Sequence, residues 1–121
     1  MKDFPMLKIT TDNHGSVIVI HLNGNMTNET INKMLTMWNS QISMSPSIIG
    51  FDCDMLTGID STAIGTIVKF FNEAREKNIR LIFFDMDESI QHLFETAHLD
   101  RFIRITDRAG FEMDCPVTKN G

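Results

Sequence analysis

The stretch from Gly58 to Gly65 contains the residues whose types and spacing best fit a chemical role. It reads Gly-Ile-Asp-Ser-Thr-Ala-Ile-Gly and stands where the exit loop of a predicted strand becomes the start of a helix. In open α/β sheets this edge is the usual position of a binding surface. The first turn of a helix has unpaired backbone N–H groups and a partial positive potential, which favour an anion such as phosphate. A phosphate on Ser61 would therefore fit there without unfolding the helix.

The charge of such a phosphate would affect any protein bound at this position. A phosphoserine carries about −1.5 to −2 charges at pH 7 and would stand beside Asp60, with Asp52 and Asp54 just upstream. A partner facing Ser61 would then be repelled. The alternative is that Asp60 or Ser61 is only a helix N-cap, worth about 1 kcal/mol. Spacing alone favours the simple cap, because most Asp-Ser pairs before a helix have this role.

The residue types usual in enzymes and metal sites do not form a recognisable pattern. Neither Cys53 nor Cys115 belongs to a CxxC pair, and Gly58 and Gly65 make neither a P-loop nor a dinucleotide fingerprint. Four histidines lack metal-ligand spacing with one another or with a cysteine: His14, His21, His92 and His98. We therefore expect no catalytic site, cofactor or bound metal.

A magnesium site is the main enzyme-like alternative. Asp52, Asp54, Asp85 and Asp87 are predicted to lie at strand ends, as the acidic residues of response-regulator receivers do. Receivers, however, place an acidic pair after the first strand of the parallel sheet, where this chain has Leu22-Asn23-Gly24. This alternative is the weaker one.

Apolar periodicity predicts the elements that position these residues. The chain begins with a hairpin, and Thr27 is predicted to cap a first helix that contains Ile31, Leu35 and Trp38. The second helix begins near Ser61. The other predicted segments are strands at Leu7–Thr10, Ser16–Leu22, Ile48–Cys53, Arg80–Phe84 and Phe102–Ile105, a loop at Asp54–Ile59, and a third helix that Asp87 caps and that runs to Ala97.

The order of these segments predicts an α/β fold with a mostly parallel central sheet, an N-terminal antiparallel hairpin at its edge, and three helices. Residues 1–106 would form this single domain. Residues 107–121 lack a clear period and are predicted to be an irregular C-terminal extension.

Bulk composition narrows the classes of partner. The 121 residues suffice for one domain, and 42% of them are hydrophobic, enough for a core. The formal net charge of −5 argues against a nucleic-acid binder, which needs a basic face. Met1–Ile9 does not look like a signal peptide, and no apolar run approaches the roughly 20 residues of a membrane span. We therefore expect a cytoplasmic protein without direct membrane insertion.

The segment from Gly58 to Ile105 resembles the STAS family, named for sulfate transporters and anti-sigma factor antagonists. The family signature, Asp-Ser-Ser/Thr-Gly-Leu-Gly at the start of a helix, is present here as Asp60-Ser61-Thr62-Ala63-Ile64-Gly65. The run Ser89–Phe94 followed by Leu99 is similar to the family's third helix and the turn after it, and the Gly24 turn also matches.

This resemblance implies a STAS-like fold and a role in signal transduction. In the small bacterial members, a partner serine kinase that is also an anti-sigma factor phosphorylates the serine after the aspartate. Carried over by position, that serine is Ser61, with Thr62 as second candidate. The resemblance implies that unphosphorylated protein binds the kinase and releases a sigma factor for transcription, and that phosphorylation breaks the complex. The partner-binding residues would be Asp60, Ser61, Thr62, Ala63, Ile64, Gly65 and Thr27.

Three features depart from the family pattern. Ala63 replaces a glycine and adds a methyl group where a kinase would approach, Thr27 replaces a frequent aspartate, and the tail after Ile105 lacks the family's usual final helix. Ala63 and Thr27 fit a second hypothesis, in which the domain is never phosphorylated and acts as a constitutive protein-binding subunit of a transporter ATPase or of a larger signalling assembly.

Overall fold

The computed structural model describes residues 6–115, which form a five-stranded sheet and four α-helices. One 3-10 turn, Leu99–Arg101, precedes the last strand. In chain order the elements are β1 (Leu7–His14), β2 (Val17–Met26), α1 (Ile31–Ile42), β3 (Ile48–Ile59), α2 (Ser61–Glu76), β4 (Arg80–Phe84), α3 (Glu88–Thr96), β5 (Arg104–Thr106) and α4 (Arg108–Asp114).

The strands lie in the order β1-β2-β3-β4-β5, with β1 antiparallel to β2 and all the other neighbours parallel. This confirms the predicted α/β class, including the antiparallel hairpin at the edge. Each crossover joins a strand to its next neighbour in the same direction, so right-handed connections carry α1, α2 and α3 over the same face of the sheet. The core on this face includes Trp38 of α1, Phe70 of α2 and Phe94 of α3.

Stacked aromatic rings fill the centre of this core. The Trp38 and Phe70 rings stack with centroids 4.3 Å apart, and the Phe51 and Phe83 rings with centroids 4.6 Å apart. The indole N–H of Trp38 donates a hydrogen bond to Glu73 Oε1 at 2.8 Å, so this buried polar group is satisfied. The helix that begins at Ser61 is thus fixed to α1 and to the sheet.

The opposite face of the sheet carries α4, where the sequence predicts an irregular extension and only three helices. That prediction is wrong for residues 108–114: Asp107 caps the helix, and Phe111 stacks on Phe84 with centroids 4.3 Å apart. Phe111 also lies against Gly50, where an added Cβ would overlap its ring. With seven residues and one buried side chain, α4 has too little apolar periodicity to be recognised from sequence. The rest of the predicted extension, residues 116–121, lies outside the described residues.

Other boundaries also differ from prediction: β1 runs on to His14, and β5 is Arg104–Thr106 rather than Phe102–Ile105. The strand β3 continues to Ile59 through the segment predicted as a loop, because β2 also runs on to Met26 and pairs with it past two register shifts. The helix α1 begins at Ile31 rather than after Thr27, and the Thr30 hydroxyl donates to Asn25 O at 2.8 Å in the turn before it. Within residues 6–115, no helix has the length and apolar character that crossing a bilayer requires.

Candidate functional site

Ser61 is the first residue of α2, as predicted, and its side chain is exposed. The N-cap is Asp60, which has an extended backbone and whose Oδ1 accepts the Ala63 backbone N–H at 3.0 Å. Because Asp60 fills the capping position, the Ser61 hydroxyl is not required for that role. A simple cap and an accessible serine therefore coexist at this helix start.

Asp60 also connects α2 to a distant part of the chain. Its Oδ2 accepts the backbone N–H of Asn28 at 3.0 Å, in the turn that precedes α1. The hydrogen bonds from Asn28 and then Ala63 hold the pKa of the Asp60 carboxyl below its usual range, so this residue is an anion at neutral pH. The turn at residues 27–30 is thereby fixed beside the start of α2.

Sequence reasoning selected Thr27 from this turn but not Asn28. Thr27 is partly exposed, and its backbone N–H donates to Thr30 Oγ1 at 3.0 Å. Asn28 is exposed and makes the contact with Asp60 through its backbone, 32 positions away in sequence. No local signal could have identified that contact, because it depends on the pairing of β2 with β3.

The other predicted partner-binding residues divide by exposure. Gly65 is exposed with Ser61, while Asp60, Thr62 and Ile64 are partly exposed. Ala63 is different: its side chain is 0% exposed and packs in the core, so its methyl group does not face a partner. The expectation that Ala63 contributes to the docking surface through its side chain is therefore wrong, and only its backbone N–H is engaged there.

Val68 is an exposed apolar residue of α2 that lies outside the signature. Its side chain is 38% exposed, and its spacing of seven residues from Ser61 puts it on the same side of the helix as Ser61 and Gly65. We call Ser61, Gly65 and Val68 the Ser61 stripe. It combines one hydroxyl, one position without a side chain and one apolar residue over two helical turns, a surface to which another protein can pack closely.

Asp52, expected near a phosphate on Ser61, lies on the opposite face of the sheet. Successive residues of β3 alternate in direction: Phe51 and Cys53 point to the core beneath α2, so Asp52 points away. Its Oδ2 is 2.7 Å from His21 Nδ1 and accepts from Arg108 at 3.2 Å. Asp52 therefore does not add to the negative charge around Ser61. Asp54, two residues later, is exposed.

His21 lies between two carboxylates on that second face. Its Nδ1 contacts Asp52 Oδ2 and its Nε2 contacts Asp12 Oδ2, both at 2.7 Å. Burial lowers the pKa of His21, but the hydrogen bonds and charges of Asp52 and Asp12 outweigh it, so the net shift is upward. For Asp52, burial raises the pKa, and the Asp54 backbone N–H together with His21 and Arg108 lowers it overall. The arrangement fits a charged imidazolium that donates two hydrogen bonds.

Two other carboxylates of the magnesium alternative, Asp85 and Asp87, are used within the fold. Asp85 Oδ1 accepts the Arg108 backbone N–H at 2.9 Å, and Asp87 caps α3 by accepting from Ile90 at 2.9 Å. In the part of the chain from residue 6 to residue 115, no three His, Cys, Asp or Glu side chains are grouped as metal ligands.

Comparison with known proteins gives one family and several similar folds. The model of the STAS domain family matches residues 8–110, and no curated protein matches the chain. An anti-sigma factor antagonist from Mycobacterium paratuberculosis has a similar structure, with 12% identity, TM-score 0.73, and coverage of 84% of this chain and 86% of that one. The antagonist SpoIIAA in its unphosphorylated form has 13% identity, TM-score 0.76, and coverage of 93% and 100%.

The Bacillus cell fate determinant SpoIIAA in its phosphorylated form is also similar, with 14% identity, TM-score 0.66, and coverage of 85% of this chain and 95% of that one. At identities this low, the likeness to these three structures is one of fold.

Proposed function

Because this chain belongs to the STAS domain family, we propose that it is an anti-sigma factor antagonist that phosphorylation switches off. Its partner would be an anti-sigma factor that is also a serine kinase, and binding would release a sigma factor to direct transcription in the cytoplasm. The acceptor would be Ser61, with Thr62 as second candidate. In this proposal the protein acts by binding another protein and not as an enzyme.

The exposure of Ser61 at the first position of α2 is the observation that carries this proposal. A kinase can reach this hydroxyl without unfolding the helix. A phosphate added there lies at the positive end of a 16-residue helix, so the domain itself tolerates it. Similarity to a fold that has been determined in both unphosphorylated and phosphorylated forms supports the same reading.

The effect on the partner follows from charge. Asp60 is already ionised beside Ser61, and a phosphate adds about −1.5 to −2 charges at pH 7. A partner packed against the Ser61 stripe would have to desolvate that phosphate without a compensating contact, which strongly disfavours binding. The switch therefore works at the interface and needs no change of fold.

The Ala63 departure does not weaken this proposal. Because the Ala63 side chain is buried, the methyl group that replaces the family's glycine leaves the surface around Ser61 unchanged. Thr27, the second departure, is partly exposed and removes one negative charge from the border of the docking surface.

The direct test is to incubate the protein with ATP and its cognate serine kinase, followed by intact-mass analysis and peptide mapping. We expect one phosphate on Ser61 in wild type and none on that peptide in Ser61→Ala. Ser89→Ala is a matched control, because Ser89 is also exposed and also stands near a helix start behind a capping aspartate. Phosphate on neither Ser61 nor Thr62 would contradict the switch.

Measuring partner affinity distinguishes the phosphorylation-switched antagonist from the constitutive subunit. Under the proposal, Ser61→Glu binds the kinase more weakly than the unphosphorylated wild type does, while Ser61→Ala binds it as tightly as wild type. A stable complex with a partner that is not a kinase, equally tight for wild type and both variants, would instead establish the constitutive module.

A further inference from the structure

A groove lined by arginine and aromatic side chains lies at the end of α2 remote from Ser61. It has a volume of about 480 Å³ and runs between the end of α2, the start of β4 and the start of β5. We call its principal residues Phe71, Arg75, Arg80, Phe102 and Arg104 the arginine–aromatic groove. Ser61 and Arg75 are separated by 14 residues of helix, or about 21 Å at 1.5 Å per residue. A partner at one surface leaves the other accessible.

The aromatic part of the groove contains a large exposed ring. Phe102 is 62% exposed, whereas its neighbour Ile103 is buried and supplies the core contact of this segment. The Phe102 ring lies against Phe71 with centroids 6.1 Å apart, and the Arg75 guanidinium covers Phe71 at 5.6 Å. Aromatic and arginine side chains in contact are the residue types that most often dominate protein–protein binding energy.

The charge of the groove is opposite to that of the protein. Three of its lining residues are arginines and none is acidic, whereas the whole chain has 16 acidic against 11 basic residues. Arg80 and Arg104 share one partner, since both donate to Asp114 Oδ2, at 3.4 and 2.9 Å. Asp114 belongs to α4 on the opposite face of the sheet, so Arg75 lies beside the aromatic rings and these two guanidiniums lie on the α4 side, where one carboxylate between them leaves excess positive charge.

We propose that the arginine–aromatic groove is a second docking surface, which binds an acidic segment of a partner protein carrying an aromatic side chain. Planar carboxylates match the fork geometry of guanidinium groups, and an inserted ring would cover Phe102. A symmetric contact with a second copy would bring like charges together, which disfavours it. The net charge of −5 likewise disfavours a nucleic acid. This inference is independent of phosphorylation at Ser61.

The test uses a fluorescent synthetic peptide, Asp-Glu-Asp-Phe-Asp-Glu-Asp, with binding followed by anisotropy and mapped by NMR chemical shifts on the full chain. We expect saturable binding that weakens as salt rises from about 0.05 to about 0.5 M, with shifts centred on Phe71, Arg75 and Phe102. Phe102→Ala and Arg75→Glu should each weaken binding about fivefold or more, the loss of one strong contact. The same peptide with alanine in place of phenylalanine should also bind more weakly.

Lys69→Glu is the matched control, because it makes the same charge reversal at an exposed position of α2 outside the groove. Equal weakening in Lys69→Glu and Arg75→Glu, or unsaturable binding to wild type, would overturn the proposal. Sedimentation of the wild-type protein tests whether the groove instead binds a second copy of the chain. Self-association of wild type that Arg75→Glu abolishes would assign the groove to a second copy and would also overturn it.

Discussion

Asp60 accepts backbone hydrogen bonds from two parts of the chain, and this makes it the residue that organises the candidate site. One carboxylate oxygen caps α2 at Ala63 and the other holds the turn at Asn28. The acidic residue of the Asp-Ser pair is therefore structural, while the serine beside it remains accessible. The two roles considered for this pair, helix cap and phosphate acceptor, therefore belong to adjacent residues: Asp60 is the cap, and Ser61 is the proposed acceptor.

Replacing Asp60 tests this division of roles. Asp60→Ala removes the cap, worth about 1 kcal/mol, and the bond to Asn28, worth about another 1 kcal/mol. We expect a loss of about 2 kcal/mol in the free energy of unfolding by urea denaturation, with faster hydrogen exchange at the Asn28 amide. Asp60→Asn should lose about half as much, because its one carbonyl oxygen can still cap α2 at Ala63, whereas its amide nitrogen cannot accept the Asn28 N–H. Equal Asn28 exchange in wild type and Asp60→Ala would refute the bridge between turn and helix.

The helix α4 covers the second face of the sheet, opposite α1, α2 and α3, and only a few contacts hold it there. Phe111 stacks on Phe84 and covers Gly50, and Arg108 at the other end reaches Asp52 and Asp85. The position next to Phe111 on the sheet must be glycine for the helix to lie this close. A seven-residue helix is too short to be stable alone in water, so these contacts determine whether it forms.

Truncating Phe111 should therefore release α4 from the sheet. Phe111 is 6% exposed, and removing a buried phenylalanine ring costs about 3–5 kcal/mol. Phe111→Ala should lose about 3 kcal/mol in the free energy of unfolding, measured by urea denaturation, with loss of protection in the amides of residues 108–114. Met113→Ala, on the same helix but 86% exposed, should change stability little. Equal stability of the two variants would show that α4 contributes nothing to the fold.

The contrast between α2 and α4 explains what sequence could predict. The four buried residues of α2 (Ala63, Ile67, Phe70 and Ala74) give it a clear apolar face, so periodicity predicted its start near Ser61, and the signature at that point identified Ser61. By contrast, α4 has one buried side chain, and its place depends on a glycine in a distant strand. The direction of Asp52 could have been read from the alternation of β3, but the contact of Asp60 with Asn28 could not, because it requires the finished sheet.

At the scale of the whole molecule, a row of alternating charges crosses the second face. It runs from Asp12 on β1 through His21 on β2 and Asp52 on β3 to Arg108 on α4, which also contacts Asp85. Each cation lies between two carboxylates, so the row connects the edge hairpin to α4. The first face carries the aromatic core and the proposed switch, and this polar row stabilises the opposite side of the same sheet.

This row makes the stability of the protein depend on pH near neutrality. The folded state raises the pKa of His21 above its unfolded value of about 6.5, so the stabilisation is complete below that pH and is lost as pH rises through the folded pKa. A neutral imidazole has one N–H and can donate to only one of Asp12 and Asp52. Urea denaturation should therefore show falling stability from about pH 6.5 upward. His21→Gln should flatten this slope, whereas His92→Gln, at an exposed position of α3, should keep it. A slope that persists unchanged in His21→Gln would mean that the row does not hold a charged imidazolium.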